Sequence, residues 1–140
     1  MAEYTNAYVQ SVAPNANVVF TEEPVSGKGC IVHREGSGLI TLRGMTNQCR
    51  ALFRVTFGGN IAIPTGGTVG EISIAIAIDG EPVPSATATV TPAAVANFFN
   101  VFSSVFIEVP KGCCVTVSVR NINTQAIEVE NANIIVERVA

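Results

Sequence analysis

The stretch EISIAIAIDGEPV, residues 71–83, constrains the fold more than any other part of the chain. Ile72, Ile74, Ile76 and Ile78 fall on one side of a period-two repeat, and Ser73, Ala75 and Ala77 on the other. Successive side chains of a strand point to opposite faces, so this pattern predicts a strand and not a helix. Asp79-Gly80 follows at once, and both residues tolerate positive φ, which is what a two-residue hairpin turn needs. The chain then re-enters an alternating run, SATATVT.

The same period recurs almost everywhere. Strands are predicted over 4–12, 17–20, 30–34, 39–43, 51–57, 99–109, 113–120, 126–130 and 133–139. Gly and Pro mark the joints: Gly58-Gly59, Pro64-Thr65-Gly66-Gly67, Pro82, Pro84 and Pro110-Lys111-Gly112. The single helical candidate is one turn over 92–98, PAAVANF. Eight to ten strands without interleaved helices predict an all-β antiparallel sandwich or barrel. At 140 residues it is one domain, 1–140, with residues 1–16 as an N-terminal strand or arm that contributes to subunit contacts.

The run 99–109 carries a second message. Val101, Ser103, Val105, Ile107 and Val109 form one face; Phe102, Ser104, Phe106 and Glu108 form the other. Both faces hold large apolar groups, whereas an antiparallel sheet normally turns one face to water. A contact between subunits is the simplest cover for the second face. Composition agrees, since 48% of residues are hydrophobic and only 14% charged, against ~25% charged in typical soluble domains. The net charge of −3 with scattered Lys and Arg predicts no nucleic-acid partner. Apolar runs far shorter than the ~20 residues of a spanning helix predict no membrane partner. The opening MAEYTNAYVQ lacks the basic and apolar regions of a signal peptide. The expectation is a chain made in the cytoplasm that acts in a virion or on a particle surface.

The succession GLITLRG, ALFRVTFGG, ISIAIAIDGEPV, SVFIEVPKGCCVTVSV and NIIVERV resembles the jelly roll shared by tumour necrosis factor and the globular heads of complement-type proteins. Val109-Pro110-Lys111-Gly112 is similar to that family's turn before a Val-rich strand, with Cys113 where the family places Asp. Ile78-Asp79-Gly80-Glu81-Pro82-Val83 resembles its hairpin. The resemblance spans roughly 18–139 and implies a TNF-like jelly-roll sandwich that assembles as a homotrimer, with aromatic and aliphatic side chains of the inner sheet along the threefold axis. Tyr8, Phe53, Phe57, Phe102, Phe106 and Glu108 are the residues expected at that contact, with Glu108 paired to Arg50 or Arg54 across it. The absence of Trp and of a collagen stalk, with only two Tyr, points away from animal cytokines and towards phage, prophage or spore-surface trimers.

Catalytic and metal chemistry find little support. The one histidine, His33, reads as a surface or edge residue, and Cys30 lies on the opposite strand face from it. The one aspartate, Asp79, sits in a turn, and Glu128 and Glu130 read as a solvated face, so no calcium set is expected. The glycine-rich turns precede no helix and form no phosphate cradle. No cofactor, metal or catalytic residue is therefore expected, and the chain is read as a non-enzyme. Cys30, Cys49, Cys113 and Cys114 default to thiols in a reducing compartment, with a Cys30–Cys49 bridge as the other reading. Alternation predicts Cys113 buried beside Val115 and Val117, and Cys114 exposed, open to a partner across the trimer.

The reading reached is a homotrimeric structural protein of a particle surface, a phage or prophage decoration or fibre-tip protein. Its partners are itself, other virion or surface proteins and, through loops 21–29, 44–48 and 121–125, a cell-surface glycan. A carbohydrate- or receptor-binding module and a spore-surface or collagen-like tip are the alternatives.

Overall fold

The computed structural model describes residues 1–27, 29–34, 36–44, 50–112 and 114–140, Arg50 by its backbone alone. Eleven strands form among them: β1 (Ala2–Asn6), β2 (Gln10–Val12), β3 (Glu22–Val25), β4 (Ile31–His33), β5 (Ile40–Arg43), β6 (Arg50–Ala62), β7 (Ile72–Ile78), β8 (Glu81–Val90), β9 (Phe99–Pro110), β10 (Cys114–Asn121) and β11 (Ile127–Arg138). One sheet runs β3-β1-β11-β6-β9, with β2 also on β11; the other runs β4-β5-β10-β7-β8. Every pairing within the two sheets is antiparallel.

The core lies between the sheets and follows from the alternation. The first sheet contributes Tyr4, Phe53, Val55, Phe57, Val101, Ile107, Ile134 and Val136; the second contributes Ile40, Leu42, Ile72, Ile74, Ile76, Val117 and Val119. Val18 and Phe20, from the irregular link between β2 and β3, close one flank and are fully buried. On β7 the small face is buried as well: Ala75 and Ala77 are at most 1% exposed. Arg120 and Thr87 flank Ala75, and Ser118 and Pro82 flank Ala77, so larger cross-strand neighbours stand on both sides of these short side chains.

The Asp79-Gly80 turn forms as expected, with φ of 52° and 85° at its two residues, the sign a type I′ turn requires. Asp79 also accepts a hydrogen bond from the Thr116 amide at 2.9 Å, tying the hairpin to β10. Other expectations need correction. The segment 92–98 is a bend and turn, not a helical turn; Ala96 is left-handed at φ 60° and donates its amide to the Ile63 carbonyl at 2.7 Å. Gly58-Gly59 is not a joint, since β6 runs straight through it and pairs both glycines with β9. The two expected C-terminal strands are one, β11, with an irregularity between Glu130 and Asn133 that Asn131 accommodates at φ 51°. Residues 17–20 make only an isolated bridge, Asn17 to Arg120, while the expected loop 21–29 contains β3.

Candidate functional site

β9 is an edge strand, and its pairing with β6 sets which side chains leave the molecule. Val101, Ser103, Ile107 and Val109 turn inward and are buried, and Val105 is partly buried against the core. Ser103 donates to the Ala86 carbonyl at 2.6 Å, which satisfies the one polar group on that face. The alternate set faces outward: Phe102 is 65% exposed and Phe106 61%. Monomeric domains rarely leave two phenyl rings at i, i+4 of one strand in water, because burying each is worth about 1.5–3 kcal/mol.

Register extends this face across three more strands. Phe102 stands opposite Gly58, Ser104 opposite Thr56, Phe106 opposite Arg54 and Glu108 opposite Leu52. Beyond them lie Asn133, Ile135 and Glu137 of β11, then Glu3 and Thr5 of β1. Ser104 and Thr56 join hydroxyls at 3.3 Å, Arg54 pairs with Glu137, and Asn133 donates to Glu3. At one end Asn100 donates to Asn60 at 3.2 Å and Asn60 to Glu130 at 3.4 Å. The face thus mixes small and amide groups with the Arg54–Glu137 ion pair and the half-buried Leu52 and Ile135, and carries two exposed phenyl rings along one edge. A Cβ at Gly58 would meet nothing within 4 Å, so Phe102 does not fold over that gap.

The expected contact residues divide. Phe102, Phe106 and Glu108 share the outward face of β9. Tyr8 is 77% exposed in the link between β1 and β2, beside Val9 at 52%. Phe53 and Phe57 are 0% and 1% exposed in the chain's own core, where another copy cannot reach them. Arg54 pairs with Glu137 of the same chain, and the Arg50 side chain lies outside the described residues. Leu52 and Ile135, half-buried on the same face as Phe102 and Phe106, belong with them: each is next in sequence to a buried residue, Phe53 and Ile134, and alternation therefore turns it outward.

His33 stands on β4, an edge strand of the second sheet, as one of its two expected settings had it, but it is not a surface residue. Its side chain is fully buried. Nδ1 lies 2.9 Å from Glu23 of β3 and Nε2 lies 2.8 Å from the Ser37 carbonyl. The Tyr4 ring rests 4.3 Å from the imidazole, tilted by 38°. With both nitrogens engaged inside the chain, His33 has none to offer a nucleophile or a metal. Burial raises the Tyr4 phenol above its ordinary range; the Gly27 amide opposes this and the Glu23 charge adds to it.

At one end of the sandwich an open hollow of about 340 Å³ is lined by Pro64, Thr65, Gly66, Gly67, Thr68, Gln125 and Ala126. The Gln125 amide is already committed, accepting from the Thr68 amide at 2.9 Å and donating to its carbonyl at 2.8 Å. The neighbouring loop is braced the same way by Asn123 on Ser73. Loop 44–48 lies outside the described residues from 45 on, as do Cys49 and Cys113 and with them a Cys30–Cys49 bridge and the burial of Cys113. Cys114 is exposed, as alternation predicted.

No protein-family profile matches the sequence, and no curated protein matches it. Solved structures do. The globular domain of zebrafish complement 1qA protein aligns over 96% of this chain and 94% of its own, with a TM-score of 0.64 and 11% identity. Murine APRIL, crystallised at pH 5.0, aligns over 95% of this chain and 97% of its own, with a TM-score of 0.53 and 7% identity. At such identities the likeness concerns the fold, and the fold is the jelly-roll sandwich of the tumour necrosis factor and complement type.

Proposed function

We propose that this chain is a non-enzymatic association module whose three copies pack through the outward face of β9, β6 and β11. The observation that carries the reading is the pair Phe102 and Phe106, 65% and 61% exposed on a strand whose other face is already spent on the core. Tyr8 and Val9, in the link between β1 and β2, are exposed as well. Threefold assembly is what the jelly-roll resemblance implies for such a face. The trimer serves as a structural piece on a particle surface, a decoration or fibre tip of a phage or prophage virion. Glycan recognition by the outward loops is a separate function that a purely structural trimer lacks.

Light scattering on the purified chain tests the assembly. The expected mass is three times the 14.6 kDa of one chain. The double variant Phe102→Ser/Phe106→Ser should elute as a folded monomer, because each trimer loses six buried rings. A wild-type chain that stays monomeric at tens of micromolar sinks the proposal. A glycan array probed with intact trimer separates the two roles, binding favouring recognition and silence the structural one. Capsid, portal or tail genes beside the coding sequence would support the virion assignment, and sporulation genes would replace it.

A further inference from the structure

The His33 ring presents an unusual hydrogen-bonding demand. The Ser37 carbonyl can only accept, so Nε2 must carry a proton. An ionised Glu23 carboxylate can also only accept, so the 2.9 Å contact at Nδ1 requires a second one. A neutral imidazole beside an ionised carboxylate would set two lone pairs against each other. The contact is complete only when one proton resides between His33 and Glu23.

The surroundings suit a proton held there. The ring is fully buried, and a buried imidazolium is tolerable only when paired and hydrogen-bonded, which both nitrogens are. The Tyr4 ring, 4.3 Å away, offers a π-face to a cation. Among the described residues the titratable groups on the ring are Glu23 from β3 and Tyr4 from β1. Tyr4 stays neutral through the range in which histidine titrates, its phenol being displaced upward by burial. Glu23 and His33 therefore own the proton between them.

What this contact fastens is the weakest edge of the first sheet. β3 meets β1 at only two register positions, Glu3 with Val25 and Thr5 with Glu22, and the register shifts between them. The turn after β4 is tied to the same region: Phe20 donates to the Ser37 carbonyl at 3.3 Å, and Gly36 donates to the Phe20 carbonyl at 3.0 Å.

We propose that His33 and Glu23 form a proton-dependent clasp that holds β3 and the 34–38 turn onto the sandwich and lets them open as pH rises. The sign follows from the donor count. A contact that needs a proton is whole at low pH, where that proton is supplied, and is lost as pH rises and the proton leaves.

Amide hydrogen exchange by NMR at pH 5.5 and 8.5, corrected for intrinsic exchange, tests it on the intact chain. The clasp predicts that protection at Phe20 and Gly36 falls about tenfold or more on going to pH 8.5, the scale of a lost charge-assisted hydrogen bond. Protection at Ile74 in the core should not change. Glu23→Gln is the control, because a neutral amide can donate to a neutral Nδ1; its protection at Phe20 and Gly36 should be the same at both pH values. Unchanged protection in the wild type, or an equal fall in Glu23→Gln, overturns the clasp.

Discussion

Two glycines two positions apart show how much depends on single residues. Gly27 has no left-handed constraint, yet a Cβ there would stand 2.6 Å from the Ile31 carbonyl oxygen and 2.8 Å from the Tyr4 hydroxyl. Gly29 has open space around it but a φ of +62°. Gly27→Ala should therefore cost about 1–3 kcal/mol through overpacking, and Gly29→Ala about 1–2 kcal/mol through backbone strain. Denaturant melts measure both, and Gly29→Asn separates the causes, since Asn tolerates the left-handed region and should recover much of the loss. Neither role was legible in SGKG, which reads only as a loop. The same holds for Asn123, Gln125 and Gln10, whose amides pair with the backbone of Ser73, Thr68 and Val19 in place of strand neighbours. His33 misled for a related reason. Polar neighbours in sequence marked it as exposed, while its burial comes from Tyr4 and Glu23 on other strands.

At the scale of elements, period two carried most of the fold. It assigned the inward and outward sets of β9 correctly, and hence the placing of Phe102, Phe106 and Glu108. It did not separate an aromatic row facing the core from one facing a partner, which is how Phe53 and Phe57 came to be counted with the contact. β3 escaped because EEPV is two acids and a proline, which is how an edge strand guards itself against further pairing. Gly58-Gly59 escaped because glycine pairs usually punctuate; here they sit mid-strand, and Gly58 neither takes positive φ nor lacks room. Gly58→Val should thus stabilise the single fold by about 0.5–1 kcal/mol, replacing the most flexible residue by one suited to a pleated surface. Urea unfolding in the Phe102→Ser/Phe106→Ser background isolates that gain from any effect on association, and destabilisation there would show that the gap over Gly58 is needed within one chain.

The molecule as a whole carries 14% charged residues and an exposed aromatic row, so its stability should depend on how many copies are present. Association that favours the folded state stabilises by mass action. For three chains in one assembly, a hundredfold dilution removes about 1.8 kcal/mol per chain, two-thirds of RT ln 100. In a domain of this size that lowers Tm by roughly 4–7 °C. The Phe102→Ser/Phe106→Ser chain has no such term, and its Tm should not move with dilution. Scanning calorimetry over two decades of concentration distinguishes a sandwich completed by its neighbours from one that is stable alone. A wild-type Tm independent of concentration, with a folded monomer at the dilute end, would mean that the aromatic edge of β9 is simply exposed and that the low charge of the chain has another origin.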